Sequence, residues 1–254
     1  MPQDILEFVT SQQDKKNYII NQLFSTDSSY GIIAGRTGLG KTNMMLNLAF
    51  WLGKGEPFFK LQVQKRKVLY RAFEGGEENL KERCLRIMIR TGFPEKDWLQ
   101  IERVEPFVLL EKGNVDKFKK MIEPFDIVLL DPIKWMVGAN YTQPDRVADF
   151  TKTLTKTLHQ DGKTAILSMQ IRKRDTRVKI EPGDLFELKG AADYVEDAAF
   201  AVLLERSELR GKNVAAQLKD RHLTLYFAKH REATRDLEPV ELFYEYDTCE
   251  FKVV

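Results

Sequence analysis

Eight residues, Gly35-Arg36-Thr37-Gly38-Leu39-Gly40-Lys41-Thr42, fill every position of a G-x-x-x-x-G-K-[ST] pattern. The glycines let successive backbone N–H groups turn inward around a di- or triphosphate. Lys41 has the reach to meet the β- and γ-phosphates, and the Thr42 hydroxyl suits Mg²⁺. A carboxylate at Asp131 directly follows the apolar run Ile127-Val128-Leu129-Leu130, where a buried strand would deliver it to the same sheet edge as the phosphate loop. It is the expected acid on the metal side. Glu74 follows Val68 to Phe73 in the same way and is the expected general base, polarising a water in line with the γ-phosphate. Glu77 and Glu78 compete for that role, although negative charge there also suits the first turn of a helix.

These groups need particular elements beneath them. Tyr30 to Ala34 is a short apolar run suited to a buried strand, and Met44, Met45, Leu48, Ala49 and Leu52 recur at helical spacing. The phosphate loop thus lies between a strand and a helix N-terminus, where anions are favoured. Further strands are expected at Val68 to Phe73, Ile127 to Leu130, Ala165 to Leu167, Phe200 to Leu204 and Leu223 to Phe227, with Val240 to Tyr246 as a closing edge strand. Helices are expected around Leu80 to Met88, Val115 to Ile122 and Val147 to Leu158. Strands alternating with helices, several of them continuously apolar, predict an α/β fold around a mainly parallel sheet covered on both faces.

Composition bounds the rest. A chain of 254 residues, 43% hydrophobic and 31% charged, can bury one large core, so the expected division is an N-terminal arm over 1–24 and one domain over 25–254. No run of 18 apolar residues occurs and the first residues lack the order of a secretion signal, which predicts a cytoplasmic protein with no membrane partner. Cys84 and Cys249 form no metal-ligand spacing and are expected as reduced core thiols. A net charge of +2 gives little long-range attraction to nucleic acid, so contact must come from local basic clusters. Arg172, Lys173, Arg174, Arg177 and Lys179, just beyond Gln170, form one and are the expected DNA-contact loop. Gly138 to Arg146, with Asn140 and Tyr141, is a second candidate.

The order of phosphate loop, Glu74, Asp131 and the segments after them resembles the RecA-like core of hexameric replicative helicases, of the plasmid RepA type and more distantly the DnaB type. Gly55-Glu56-Pro57-Phe58 and the run from Val68 to Arg83 carry the resemblance, together with Glu187-Leu188-Lys189-Gly190 and Tyr194 to Ala198. Ile166-Leu167-Ser168-Met169-Gln170 is similar to the strand whose terminal Gln senses the γ-phosphate in that family, and Lys229-His230-Arg231 to the Lys-x-Arg pair that reaches a neighbouring subunit's nucleotide. The resemblance implies a RecA-like P-loop NTPase core with a C-terminal antiparallel edge. It also implies ATP and Mg²⁺ at the site, a hexameric ring, single-stranded DNA as track, and a replication initiator or primase as partner. A small replicative helicase is the expected function. A filament-forming recombination or repair ATPase and a nucleotide-dependent switch or scaffold remain open beside it.

Overall fold

Alternation along each strand decides which layer a residue joins, because successive side chains leave a strand on opposite faces. In the computed structural model, Ile33, Val68, Tyr70, Ile127 and Leu129 belong to one buried cluster, while Ile32, Ala34, Leu69, Val128 and Leu130 belong to another on the opposite face. The sheet is apolar on both sides and is covered on both. The structure describes residues 17–27, 29–139, 141–171, 192–207, 221–231 and 236–254.

Among the described residues, nine strands form the main sheet in the order β11-β10-β9-β8-β3-β7-β6-β4-β5. They are β3 (Tyr30–Gly35), β4 (Val68–Ala72), β5 (Leu99–Arg103), β6 (Ile127–Asp131), β7 (Thr164–Gln170), β8 (Phe200–Arg206), β9 (His222–His230), β10 (Val240–Glu245) and β11 (Glu250–Val253). The strands from β8 through β3 to β5 run parallel, whereas β9, β10 and β11 are antiparallel additions. A separate ribbon of β1 (Tyr18–Ile20) and β2 (Phe24–Ser25) places Ile20, Leu23 and Phe24 in the core, with the Phe24 and Phe200 rings edge to face at 5.2 Å. Truncating a buried Phe of this kind costs about 3–5 kcal/mol.

The helices are α1 (Lys41–Lys54), α2 (Glu77–Thr91), α3 (Asn114–Ile122), the single-turn α4 (Lys134–Val137), α5 (Pro144–Gln160) and α6 (Ala192–Asp197). Local sequence explains their starts and faces. Pro144 sits in the first turn of α5, where its missing N–H costs nothing, and Glu77 and Glu78 open α2 against the helix dipole. Leu80, Cys84 and Ile87 turn inward from α2, and Val147, Phe150, Leu154 and Leu158 from α5. Cys84 and Cys249 are both buried free thiols. Among the described residues no helix is long and apolar enough to cross a membrane.

The predicted α/β class and antiparallel edge are present, with three differences in detail. Val240–Glu245 is not the edge strand, because β11 pairs outside it, Leu242 with Val253 through Glu245 with Glu250. β5 and β11 carry no strong alternation, since β5 is half-buried along its length and β11 buries only Phe251 fully. β9 extends to His230, so Lys229 lies within the strand, paired with Ala201 of β8, while β10 pairs only with His222 to Leu225.

Candidate functional site

The phosphate loop sits where β3 ends and α1 begins, at the carboxyl edge of the parallel strands. Gly40 occupies the position before α1 with φ 82°, a left-handed conformation that L side chains adopt at a cost. Gly35 packs so closely on β8 that an added Cβ would lie 2.9 Å from the Leu204 carbonyl oxygen. Both glycines are therefore set by geometry. The Lys41 ammonium donates to the Arg36 carbonyl at 2.9 Å, curling over its own loop. Burial pushes its pKa below the ordinary lysine value, against the opposing pull of Asp131 and Glu74.

Neighbouring strand ends bring the other groups to the same place. A cavity of about 330 Å³ is lined by Thr37 to Asn43 together with Glu74, Asp131, Ser168 and Gln170. Asp131 closes β6 and is 5% exposed, and its Oδ2 accepts from the buried Tyr70 hydroxyl at 2.7 Å. Burial first, and then Asp131, holds the Tyr70 phenol well above its usual pKa, so it stays a donor. Gln170 closes β7 opposite Gly35, and its Nε2 donates to Thr37 Oγ1 at the tip of the loop.

Glu74 arrives differently from its sequence expectation. β4 stops at Ala72, and Glu74 stands two residues later in the bend before α2. What fixes it is not the strand but the start of α4. Lys134 Nζ lies 2.7 Å from Glu74 Oε2, and Trp135 Nε1 donates to the same oxygen at 3.2 Å. Partial burial raises the Glu74 pKa, but the Lys134 and Trp135 hydrogen bonds and the charges of Lys134 and Lys41 outweigh it, leaving the carboxyl below its ordinary value.

A metal ion with the chemistry of Mg²⁺ fits the donor set. Thr42 lies in the first turn of α1, Asp131 presents a buried carboxylate, and the fully buried Ser168 hydroxyl on the same cavity has no partner among the described residues. Hard oxygen ligands of this kind suit Mg²⁺.

The far wall of the cavity was not foreseen in the sequence. Arg83, Leu223, Tyr244 and Tyr246 close it. Tyr244 and Tyr246 meet edge to face at 4.9 Å, and the Arg221 guanidinium lies 5.0 Å over the Tyr246 ring. Asn43 donates to the Tyr244 hydroxyl, and Asn47 Nδ2 to the Cys249 carbonyl at 2.7 Å, which seats the β10–β11 hairpin on α1. Only the placement of aromatic residues in a segment some two hundred residues from the loop could have signalled this wall, and spacing alone gives no such signal.

Two expected groups lie elsewhere. Lys229 pairs in register with Ala201 and His230 with Phe200, which is beside Gly31, whereas the phosphate loop leaves β3 from Gly35 beside Leu204. Lys229 and Arg231 therefore stand at the opposite edge of the sheet from the cavity. There Lys229 donates to the Val195 and Glu196 carbonyls, the latter at 2.7 Å, and Arg231 to Glu196, so both meet the last carbonyls of α6. Burial and the neighbouring Arg231 lower the Lys229 pKa to about 8. Arg172, Lys173, Arg174, Arg177 and Lys179, the Glu187-to-Gly190 segment and Asn140 lie outside the described residues. Tyr141 is exposed, and its carbonyl accepts from Tyr194 at 3.2 Å.

Comparison with known proteins agrees with this architecture. A solved structure of the ATPase domain of G40P superposes with a TM-score of 0.67 at 16% identity, covering 97% of this chain and 95% of that one. The structure of a DnaB-like replicative helicase, described with its interactions with primase, gives 0.66 at 15% identity over 99% of this chain and 67% of that one. A protein of Trieres chinensis named "Probable replicative DNA helicase" is 24% identical over 206 residues, which is 72% of this chain and 44% of that protein's length. The chain thus spans less than half of that relative. The sheet, with its phosphate loop at the carboxyl edge, is the fold of RecA-like helicase ATPase domains. The model of one family, the AAA domain, matches residues 2–176, well over half of the sequence, and the chain belongs to that family.

Proposed function

We propose that this chain is an ATP hydrolase that works as a ring-forming motor on single-stranded DNA, in the manner of a small replicative helicase. The observation that carries the reading is the convergence, on one cavity, of the phosphate loop with Glu74, Asp131 and Gln170 from four different parts of the chain. Backbone N–H groups of Gly35 to Thr42 and the Lys41 ammonium bind the β- and γ-phosphates. Lys41 leaves the Arg36 carbonyl to do so. Thr42 and Asp131 would hold Mg²⁺, whose charge would offset that of the phosphates. Tyr244, Tyr246 and Arg83 offer π-faces and a guanidinium where the base would lie.

Glu74 orients and polarises the attacking water, and Gln170, already tied to Thr37, contacts the γ-phosphate and reports its loss to β7. Lys229 and Arg231 act on the neighbouring subunit's phosphates, a reading supported by their position at the sheet edge away from their own cavity. Single-stranded DNA runs along the basic segment from Arg172 to Lys179, which begins directly after Ile171, the residue that follows β7, and so links the γ-phosphate contact to the track. The names of the relatives, a replicative helicase and a DnaB-like helicase with primase, support DNA replication as the setting and a primase as partner.

The test is ATP turnover by the purified protein with and without single-stranded DNA, followed by strand separation of a forked duplex. Turnover stimulated severalfold by single strands and unwinding that needs ATP are expected. Turnover indifferent to single-stranded DNA would replace the motor by a nucleotide-dependent switch, and stimulation without unwinding would replace the helicase by a filament-forming ATPase.

A further inference from the structure

Two side chains at the start of α4 grip the carboxylate on which hydrolysis depends. Lys134 Nζ and Trp135 Nε1 both reach Glu74 Oε2, at 2.7 and 3.2 Å, and no bond to Oε1 occurs among the described residues. One oxygen is anchored and the other is left to accept from water. The anchor is itself well held. Ile133 donates its N–H to the Ser168 carbonyl at 3.0 Å, and Met136 and Val137 are buried, so α4 is fastened to β7 and to the core. The segment around Glu74 fixes its backbone, through the buried Phe73, whose N–H donates to the Asp131 carbonyl at 2.8 Å, but the side-chain carboxylate takes its hydrogen bonds from α4.

We infer that Lys134 and Trp135 are positioning residues for Glu74, which fix its Oε2 so that Oε1 faces the nucleotide cavity as the water-polarising oxygen. The inference rests on the reading of Glu74 as the base. A carboxylate on a bend can occupy several rotamers, and only a fixed one keeps an attacking water in line with a phosphate. A cation at 2.7 Å also favours the ionised carboxylate, while the indole N–H sets its plane. Trp135 is 37% exposed and its ring lies against the Lys134 ammonium at 5.2 Å, so the pair orders itself as well. The charged groups around Glu74 are Lys134 on α4, Lys41 on α1 and Arg83 on α2, which shares the cavity, with Asp131 at the end of β6. Arg103 on β5 binds the next carbonyl, that of Gly75, at 2.8 Å.

The experiment compares wild type with Lys134→Met, Lys134→Arg, Trp135→Phe and Glu74→Gln, measuring kcat, KM for ATP and the pH profile of kcat. Binding of a fluorescent ATP analogue and thermal unfolding serve as folding controls. Lys134→Met should lower kcat roughly tenfold at an unchanged KM, a modest part of the effect of a positioned base. Its acid limb should move to higher pH, because loss of the cation lets the Glu74 pKa rise. Lys134→Arg should return the acid limb towards wild type, and Trp135→Phe should lower kcat and move that limb to higher pH by less than Lys134→Met does. Wild-type kcat and acid limb in Lys134→Met, or a reduced kcat with an unmoved acid limb, overturns the positioning role. Retained turnover in Glu74→Gln overturns the base assignment itself, and the inference with it.

Discussion

The Tyr70 hydroxyl on β4 donates to Asp131 Oδ2 on β6 at 2.7 Å, between strands that pair Tyr70 with Leu129 and Ala72 with Asp131. A buried phenol with a raised pKa is a permanent donor, so the Asp131 carboxylate is aimed by a neutral group rather than neutralised by a cation. Its charge stays available to a metal ion. Tyr70→Phe should keep the packing yet lose this bond, destabilising the protein by about 1–2 kcal/mol. It should also raise the Mg²⁺ concentration needed for half-maximal turnover severalfold. An unchanged Mg²⁺ titration would show that Asp131 needs no such aim.

Lys41→Ala removes the ammonium that now rests on the Arg36 carbonyl. Binding of a fluorescent ATP analogue and turnover should both be lost, while the thermal transition without nucleotide stays near that of wild type, because a buried ammonium is removed with its desolvation cost. Wild-type hydrolysis would remove the phosphate-loop assignment.

Replacing Glu74 by Gln preserves shape and removes the carboxylate proposed as the base. Nucleotide affinity should persist, and kcat should fall by roughly 10² or more. Weak binding in this variant, measured by titration with the same analogue, would make Glu74 a structural residue.

Lys229 gives a pH signature. Its folded pKa of about 8 lies below the unfolded lysine value of 10.5. Between those two limits the unfolded chain holds more protons than the folded one, so stability from this group rises as pH increases from 8 towards 10.5 and is lowest below 8. Denaturant midpoints of wild type should therefore gain on those of Lys229→Met across that window. Parallel curves for the two proteins would show that Lys229 is an ordinary surface lysine.

Arg231 tests assembly. If it serves a neighbour, Arg231→Ala and Lys41→Ala proteins are each inactive alone, yet a mixture contains some sites with both groups intact. A catalytic arginine contributes on the order of 10³ or more in rate, so a minority of such sites is measurable. Labelled mixing must show subunit exchange. Exchange without recovered turnover places Arg231 in its own chain's architecture, where the α6 carbonyls already hold it.

The phosphate loop, the parallel strands and Asp131 were legible because each is a local pattern: glycines and a lysine at fixed spacing, or four apolar residues before an acid. The place of Glu74 on the cavity was expected for an incomplete reason. The strand was read as its support, whereas its partners are Lys134 and Trp135, sixty residues later, and no period links such positions. The aromatic wall of Tyr244 and Tyr246 was hidden by the same distance in sequence. β5 and β11 were missed because their half-buried, charge-rich sequences carry little alternation, and tertiary pairing overrides that weak signal. Lys229 was read as a strand-end residue because the apolar run ends at Ala228, although hydrogen bonding to β8 continues through His230.

The position of β3 between β7 and β8 governs when this protein can first become a nucleotide binder. Both neighbours of Tyr30–Gly35 come from residues 164–170 and 200–206, so the earliest parallel strand is the last to be enclosed. A chain leaving the ribosome holds the phosphate loop long before it holds anything to shape that loop, and domains complete such long-range pairings late. ATP, which stabilises only a formed site, therefore has no grip on early folding and strengthens the protein at the final step alone.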